Sequence, residues 1–210
     1  MTNMRNALVG VVIVAILSSV SGVRAGDVIE DWANVKAPTP PEVKPVTIDT
    51  KTTALLLLDF HPPNCTNRPR CIASLPKLKK LLTEARAKGV PVVYSVSGQA
   101  DPSKIMPDIA PTSGEPWVRA SVDKFMGTEL EKILKDKGIR TVIVTGTAAH
   151  GAVLYTGSGS ALRGMSVVVP VDGMSSEDEF YEQATAWLLA KGTGGIGPKV
   201  TLTRIDMIKF

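Results

Sequence analysis

Asp59 closes an uninterrupted apolar run, Thr52 to Asp59 (TTALLLLD). Such a run reads as a central strand buried on both faces, with its acid at the carboxyl end. A carboxylate there faces the crevice where open α/β sheets bind ligands, and burial can tune its proton affinity. It can also serve as a cap or turn residue. The chain has only two histidines, His61 and His150. Both fall in loops expected near the same edge, where each could contact substrate or simply bond to backbone. Asp59 and His61 lack a third ligand at ordered spacing, so no metal is expected. The only two cysteines, Cys65 and Cys71, lie six positions apart among Pro62, Pro63 and Pro69. In an exported chain this pair reads as a short-loop disulfide. The rival reading, a catalytic thiol, lacks a helix N-terminus or a histidine bound to be close.

The elements that must position these groups alternate. The stretch Thr141 to Gly164 runs from a β-branched strand through a glycine-bearing loop into a helix. Further strands are expected at Val90–Ser95, Ser166–Val171 and Val200–Ile205, with a short one at Trp117 and Val118. Helices are expected from Ser74 (as cap) to Gly89, over Thr128–Lys137, and over Glu177–Lys191. Asp101 to Glu115, polar and proline-containing, reads as a lid or a subunit contact. This order predicts an α/β, three-layer α/β/α sandwich around a central, mainly parallel sheet of about six strands, Rossmann-like in its layering. Gly157 and Gly159 fall inside a helix, where each costs about 1 kcal/mol against alanine, so close packing is expected there.

The first 25 residues resemble a secretory signal: Arg5, an apolar run from Ala7 to Leu17, and small residues at Val23-Arg24-Ala25. The run is shorter than the roughly 20 residues of a membrane span. A periplasmic or secreted location and no membrane attachment after cleavage are therefore expected. Without Arg5 and Arg24 the net charge of +4 falls by two, and no basic cluster suggests nucleic acid. Residues 26–48, with Pro38, Pro40, Pro41 and Pro45, should form an extended arm. The domain should span 49–210.

Asp59, the segment Phe125-Met126-Gly127-Thr128, and Gly146 with Thr156 and Gly164 together resemble the isochorismatase-like hydrolase superfamily. The resemblance covers Thr52 to Phe210. It implies a small-molecule substrate, no cofactor and a homo-oligomer. In the cysteine hydrolases of that superfamily the nucleophile lies six residues after the glycine matching Gly146 and four before the threonine matching Thr156. Both counts reach Ala152, which has no nucleophile. The lysine of the superfamily, nine residues before Thr128, corresponds to Arg119, with Lys124 nearby. Arg119 could hold an anion in its fork but not shuttle a proton, or could form a surface ion pair. Lys124 reads either as that lysine or, as its position favours, as a solvent lysine at a helix entry. Ala149-His150 matches a pair in true isochorismatases, which also lack the cysteine.

The resemblance thus implies catalysis by Asp59 with Arg119 or Lys124, and substrate contacts from His150, Gly151, Ala152, His61 and Trp117. Two functions follow. One is a hydrolase in which Asp59 acts as general acid or base on an activated water. The alternative is a catalytically degenerate binding protein on the same fold.

Overall fold

The computed structural model describes residues 26–210, so the expected leader, residues 1–25, lies outside the described residues. The described residues divide into two units, 26–39 and 40–210. The first holds one turn of 3-10 helix at Trp32–Asn34.

In the second unit the apolar runs form a parallel sheet. Strand β1 (Val46–Thr47) pairs with β9 (Ile208–Lys209) in a small parallel ribbon. Part of the expected arm is therefore strand, because only its earlier residues are dense in proline. The main sheet contains β2 (Thr53–Leu58), β3 (Val92–Val96), β4 (Trp117–Arg119), β5 (Thr141–Thr147), β6 (Ser166–Pro170) and β8 (Val200–Thr203). They lie in the order β4-β3-β2-β5-β6-β8, and β7 (Met174–Ser175) adds to the end of β5. Every pairing is parallel.

Alternate side chains of β2 feed two cores. Leu55 and Leu57 pack with Leu75, Leu78 and Leu82 of α2 (Pro69–Ala87). Ala54, Leu56 and Leu58 face Leu130 and Leu134 of α3 (Leu130–Asp136), Ala161 of α4 (Leu154–Leu162) and Leu189 of α5 (Glu179–Lys191). All six residues of β2 are buried, as a strand covered on both faces requires. These are the three layers the alternation predicts.

Two local expectations change and a third holds. Ser74 does not cap α2: the helix begins at Pro69, preceded by the short helix α1 (Pro62–Cys65). Proline at the first helical position loses no hydrogen bond and presets φ, so the prolines start helices here. The segment from Asp101 to Glu115 is pinned, with Ile105 and Ile109 buried in the core, and Met106 N–H donates to the Phe60 carbonyl at 2.8 Å. Gly157 and Gly159 do sit in tight contact. A β-carbon would stand 3.4 Å from Leu189 Cδ2 at Gly157, and 3.3 Å from Asp123 Oδ1 and from Phe125 Cδ2 at Gly159.

Candidate active site

The chain crosses from β4 on one side of β2 to β5 on the other, so the order of strands reverses between β2 and β5. Ligands gather outside the carboxyl ends at such a reversal. Asp59 stands there immediately after β2. Its φ is 59°, a left-handed conformation that Asp adopts more readily than most residues. Its N–H donates to the Ser95 carbonyl at 3.1 Å.

Asp59 is buried, 4% exposed, and its carboxylate is doubly held. Ser95 Oγ donates to Oδ1 at 2.7 Å, and Lys124 Nζ donates to Oδ2 at 2.7 Å. Lys124 is fully buried, which overturns its reading as a solvent lysine. Its ammonium also donates to the carbonyls of Ala120 (3.3 Å) and Ser121, so all three of its donor directions are used. The loop that delivers it is fastened on two sides. Thr128 Oγ1 donates to the Lys124 carbonyl at 2.5 Å, and the Lys124 N–H reaches Thr156 Oγ1 on α4 at 3.3 Å.

A cleft of about 780 Å³ opens above this pair, within the roughly 300–1,000 Å³ of small-molecule sites. Asp59, Ala152 and Gly151 line it together with Arg68, Arg119 and His150. Arg119 does not pair with Asp59. Its Nη1 donates to the carbonyls of Gly98 (2.8 Å) and Ala100 (2.7 Å), and its guanidinium lies 5.6 Å from the centre of the Trp117 ring. Strand β4 sends Arg119 across the cleft mouth, while the loop beyond it folds Lys124 beneath. Trp117 and His61 are not among the lining residues: Trp117 supports Arg119, and His61, 2% exposed, lies behind the wall.

His150 belongs to a π-helical turn, Ala149–Val153, between β5 and α4. Ser176 Oγ accepts the Ala149 N–H at 3.0 Å and lies 3.1 Å from His150 Nδ1. Its single proton can then go to Nδ1, leaving Nε2–H facing Glu177 Oε1 at 3.7 Å. The ring stacks on Tyr181 at 4.2 Å. Arg68 shares Glu177 at 3.5 Å and donates to Thr147 Oγ1 at 3.1 Å.

Arg68 was not singled out from the sequence, although it lies between the two cysteines. Ser97 and Asn64, also in the lining, were missed as well. Ser97 directly follows β3, so the strand-end rule that marks Asp59 would have found it. Cys65 and Cys71 form a disulfide with Cα atoms 5.3 Å apart. As the chain holds two cysteines in all, no thiol remains for catalysis. Among the described residues, no group of three or more His, Cys, Asp or Glu side chains could hold a metal ion. Nor is any helix among them long and apolar enough to cross a membrane.

A buried carboxylate–ammonium pair thus lies at the floor of a cleft of small-molecule size, at the carboxyl edge of a parallel α/β sheet covered on both faces. The isochorismatase domain model matches residues 53–197, and the chain belongs to that family of hydrolases. It is 30% identical to N-carbamoylsarcosine amidase of Arthrobacter sp. over 52% of this chain and 51% of that protein. The chain therefore spans about half the length of the amidase. It is 26% identical to the secreted isochorismatase effector Isc1 of Verticillium dahliae, over 65% of this chain and 79% of the effector. An isochorismatase from Pseudomonas putida KT2440 superposes with a TM-score of 0.68 at 16% identity, covering 82% of this chain and 100% of that one. The N-carbamoylsarcosine amidase from Thermoplasma acidophilum gives 0.62 at 22%, covering 74% and 97%. At these identities the structures establish the fold.

Proposed function

We propose that this chain is an exported hydrolase of a small organic anion, with Asp59 as general acid and base and water as the nucleophile. The observation that carries the reading is the buried Asp59–Lys124 pair at 2.7 Å beneath a cleft whose chain has no free thiol. A water above Asp59 gives its proton to the carboxylate as its oxygen attacks the substrate carbon. The bond to the leaving group breaks, and Asp59 returns the proton to that group. Lys124 keeps the carboxylate oriented and offsets its charge.

Arg68 and Arg119 on the cleft walls favour a substrate carboxylate, which a guanidinium binds through two parallel hydrogen bonds. His150, held by Ser176 and Tyr181, and the small side of the cleft at Gly151 and Ala152 complete the contacts. Export rests on the leader-like residues 1–25 and on the secreted relative.

The test is hydrolysis of carboxylate-bearing amides, enol ethers and esters by the protein and by Asp59→Asn. Turnover should fall by at least about 10²-fold in the variant. In Arg119→Ala the expected change is a rise in KM of about tenfold with kcat little altered. Ligand binding without turnover, tolerant of Asp59→Asn, would instead identify a binding protein on this fold.

A further inference from the structure

Ser97 forms part of the cleft wall, and His61 stands behind it. Ser97 follows β3 directly, is half-buried and lines the cleft. His61 sits behind it, 2% exposed. His61 Nε2 lies 3.2 Å from Ser97 Oγ. Two N–H donors also reach Nε2: the Asn64 amide at 3.2 Å and the Ser97 backbone at 3.4 Å. A nitrogen facing two such donors presents its lone pair, so the ring proton belongs on Nδ1. Nδ1 is buried without a hydrogen-bond partner. The Ser97 hydroxyl therefore has an unprotonated nitrogen to donate to. Asn64 Nδ2 donates to Ser97 Oγ at 3.1 Å, where it would stabilise charge left on that oxygen.

We propose that Ser97 is a nucleophile and His61 its general base, so that this cleft cleaves carboxylic esters through an acyl-Ser97 intermediate. The arrangement is that of an activated hydroxyl: the oxygen is open to the cleft and the base is behind it, shielded from water. The buried His61 remains neutral near pH 7. Burial lowers its proton affinity, and Lys124 lowers it further while Asp59 opposes both.

In the first step Ser97 Oγ attacks the ester carbon as its proton passes to His61 Nε2. The resulting oxyanion collapses, the bond to the leaving alkoxide breaks, and His61 protonates that alkoxide. Water then attacks the acyl-serine and gives a proton to His61. The acyl–Oγ bond breaks, the proton returns to Oγ, and the acid departs. A base of lowered proton affinity suits esters with good leaving groups better than amides. This step goes beyond the Asp59 reading and does not depend on it.

The full chain is treated with a fluorophosphonate probe, digested and mapped by mass spectrometry, and release of 4-nitrophenolate from 4-nitrophenyl acetate is followed in parallel. A phosphonyl ester on Ser97 is expected. Ester turnover should fall at least about 10²-fold in Ser97→Ala and His61→Gln, and labelling should vanish in the first and slow comparably in the second. The labelling rate should be flat above pH about 6.5, the ordinary histidine value, and fall in acid. Mapping on the unaltered chain does not depend on any variant folding. No label, or a label on Ser121 or a lysine instead, overturns the proposal even if Asp59-dependent hydrolysis persists. Conversely, Ser97 labelled in a protein whose other hydrolysis ignores Asp59→Asn upholds this proposal and overturns the Asp59 reading.

Discussion

The floor and the rim of the cleft are built from the same kinds of charge on different terms. At the floor, Asp59 and Lys124 have side chains 6% and 0% exposed and meet at 2.7 Å. At the rim, Glu177, with a side chain 48% exposed, faces Arg68 and His150 at 3.5 and 3.7 Å. Water can replace either partner at the rim, so pairing there gains little and the groups are available to a ligand. At the floor no water stands in, and each charge depends on the other and on fixed dipoles. The floor can therefore hold one geometry for proton transfer, and the rim can reorganise around an incoming anion.

Breaking the floor should have the largest effect. Lys124→Met preserves the stem's volume and leaves the Asp59 carboxylate buried with the Ser95 hydroxyl as its remaining side-chain donor. A loss of about 3–5 kcal/mol is expected, read from the urea midpoint at constant slope. Asp59→Asn combined with Lys124→Met should cost less than the two single losses together, because no unpaired charge remains. Strict additivity would mean that the pair is not coupled and that the contrast with the rim is only one of exposure.

A second, smaller effect should come from the brace beneath the rim. The Cys65–Cys71 bond closes a loop of six-residue separation that carries Arg68, with Asn64 just outside it. Chain-entropy reasoning for so short a loop gives about 2 kcal/mol. Cys65→Ser with Cys71→Ser should lower stability by that amount. It should also raise KM for an anionic substrate, because Arg68 loses its fixed approach to Thr147. Unchanged KM with lowered stability would show that the brace serves the fold and not the rim.

How much of this contrast was legible follows from the physics of each region. The floor's acid could be read because a buried strand must end somewhere, and Asp59 ends it. Its partner could be narrowed only to Arg119 or Lys124, because 65 positions separate Lys124 from Asp59 and the choice depends on how the loop after β4 folds under itself. Counting along the family pattern led to Arg119, which the strand carries to the rim. The sheet and its covering helices were legible from apolar periodicity. The start of α2 was not, since Pro69, lying between two cysteines and after Pro62 and Pro63, reads as a loop residue as readily as a first helical one. The pairing of Val46–Thr47 with Ile208–Lys209 joins distant ends of the domain and leaves no local signal. Ser97 was within reach of the same strand-end rule as Asp59, but a serine before a glycine looks like any turn.

The rim's own ion pairs supply the smallest effect and the sharpest control. Glu177→Gln removes the carboxylate that faces both Arg68 and His150 while keeping its shape. Exposed pairs at these distances contribute about 0–1 kcal/mol, so the urea midpoint should move little, and less still when salt screens the wild-type contacts. Binding of a small carboxylate should instead tighten by a few fold, because Arg68 no longer has a fixed anion competing with the ligand. That improvement should shrink at high salt. A Glu177→Gln variant as destabilised as Lys124→Met would erase the distinction between floor and rim. One that weakens carboxylate binding would show that Glu177 orients Arg68 for the ligand rather than competing with it.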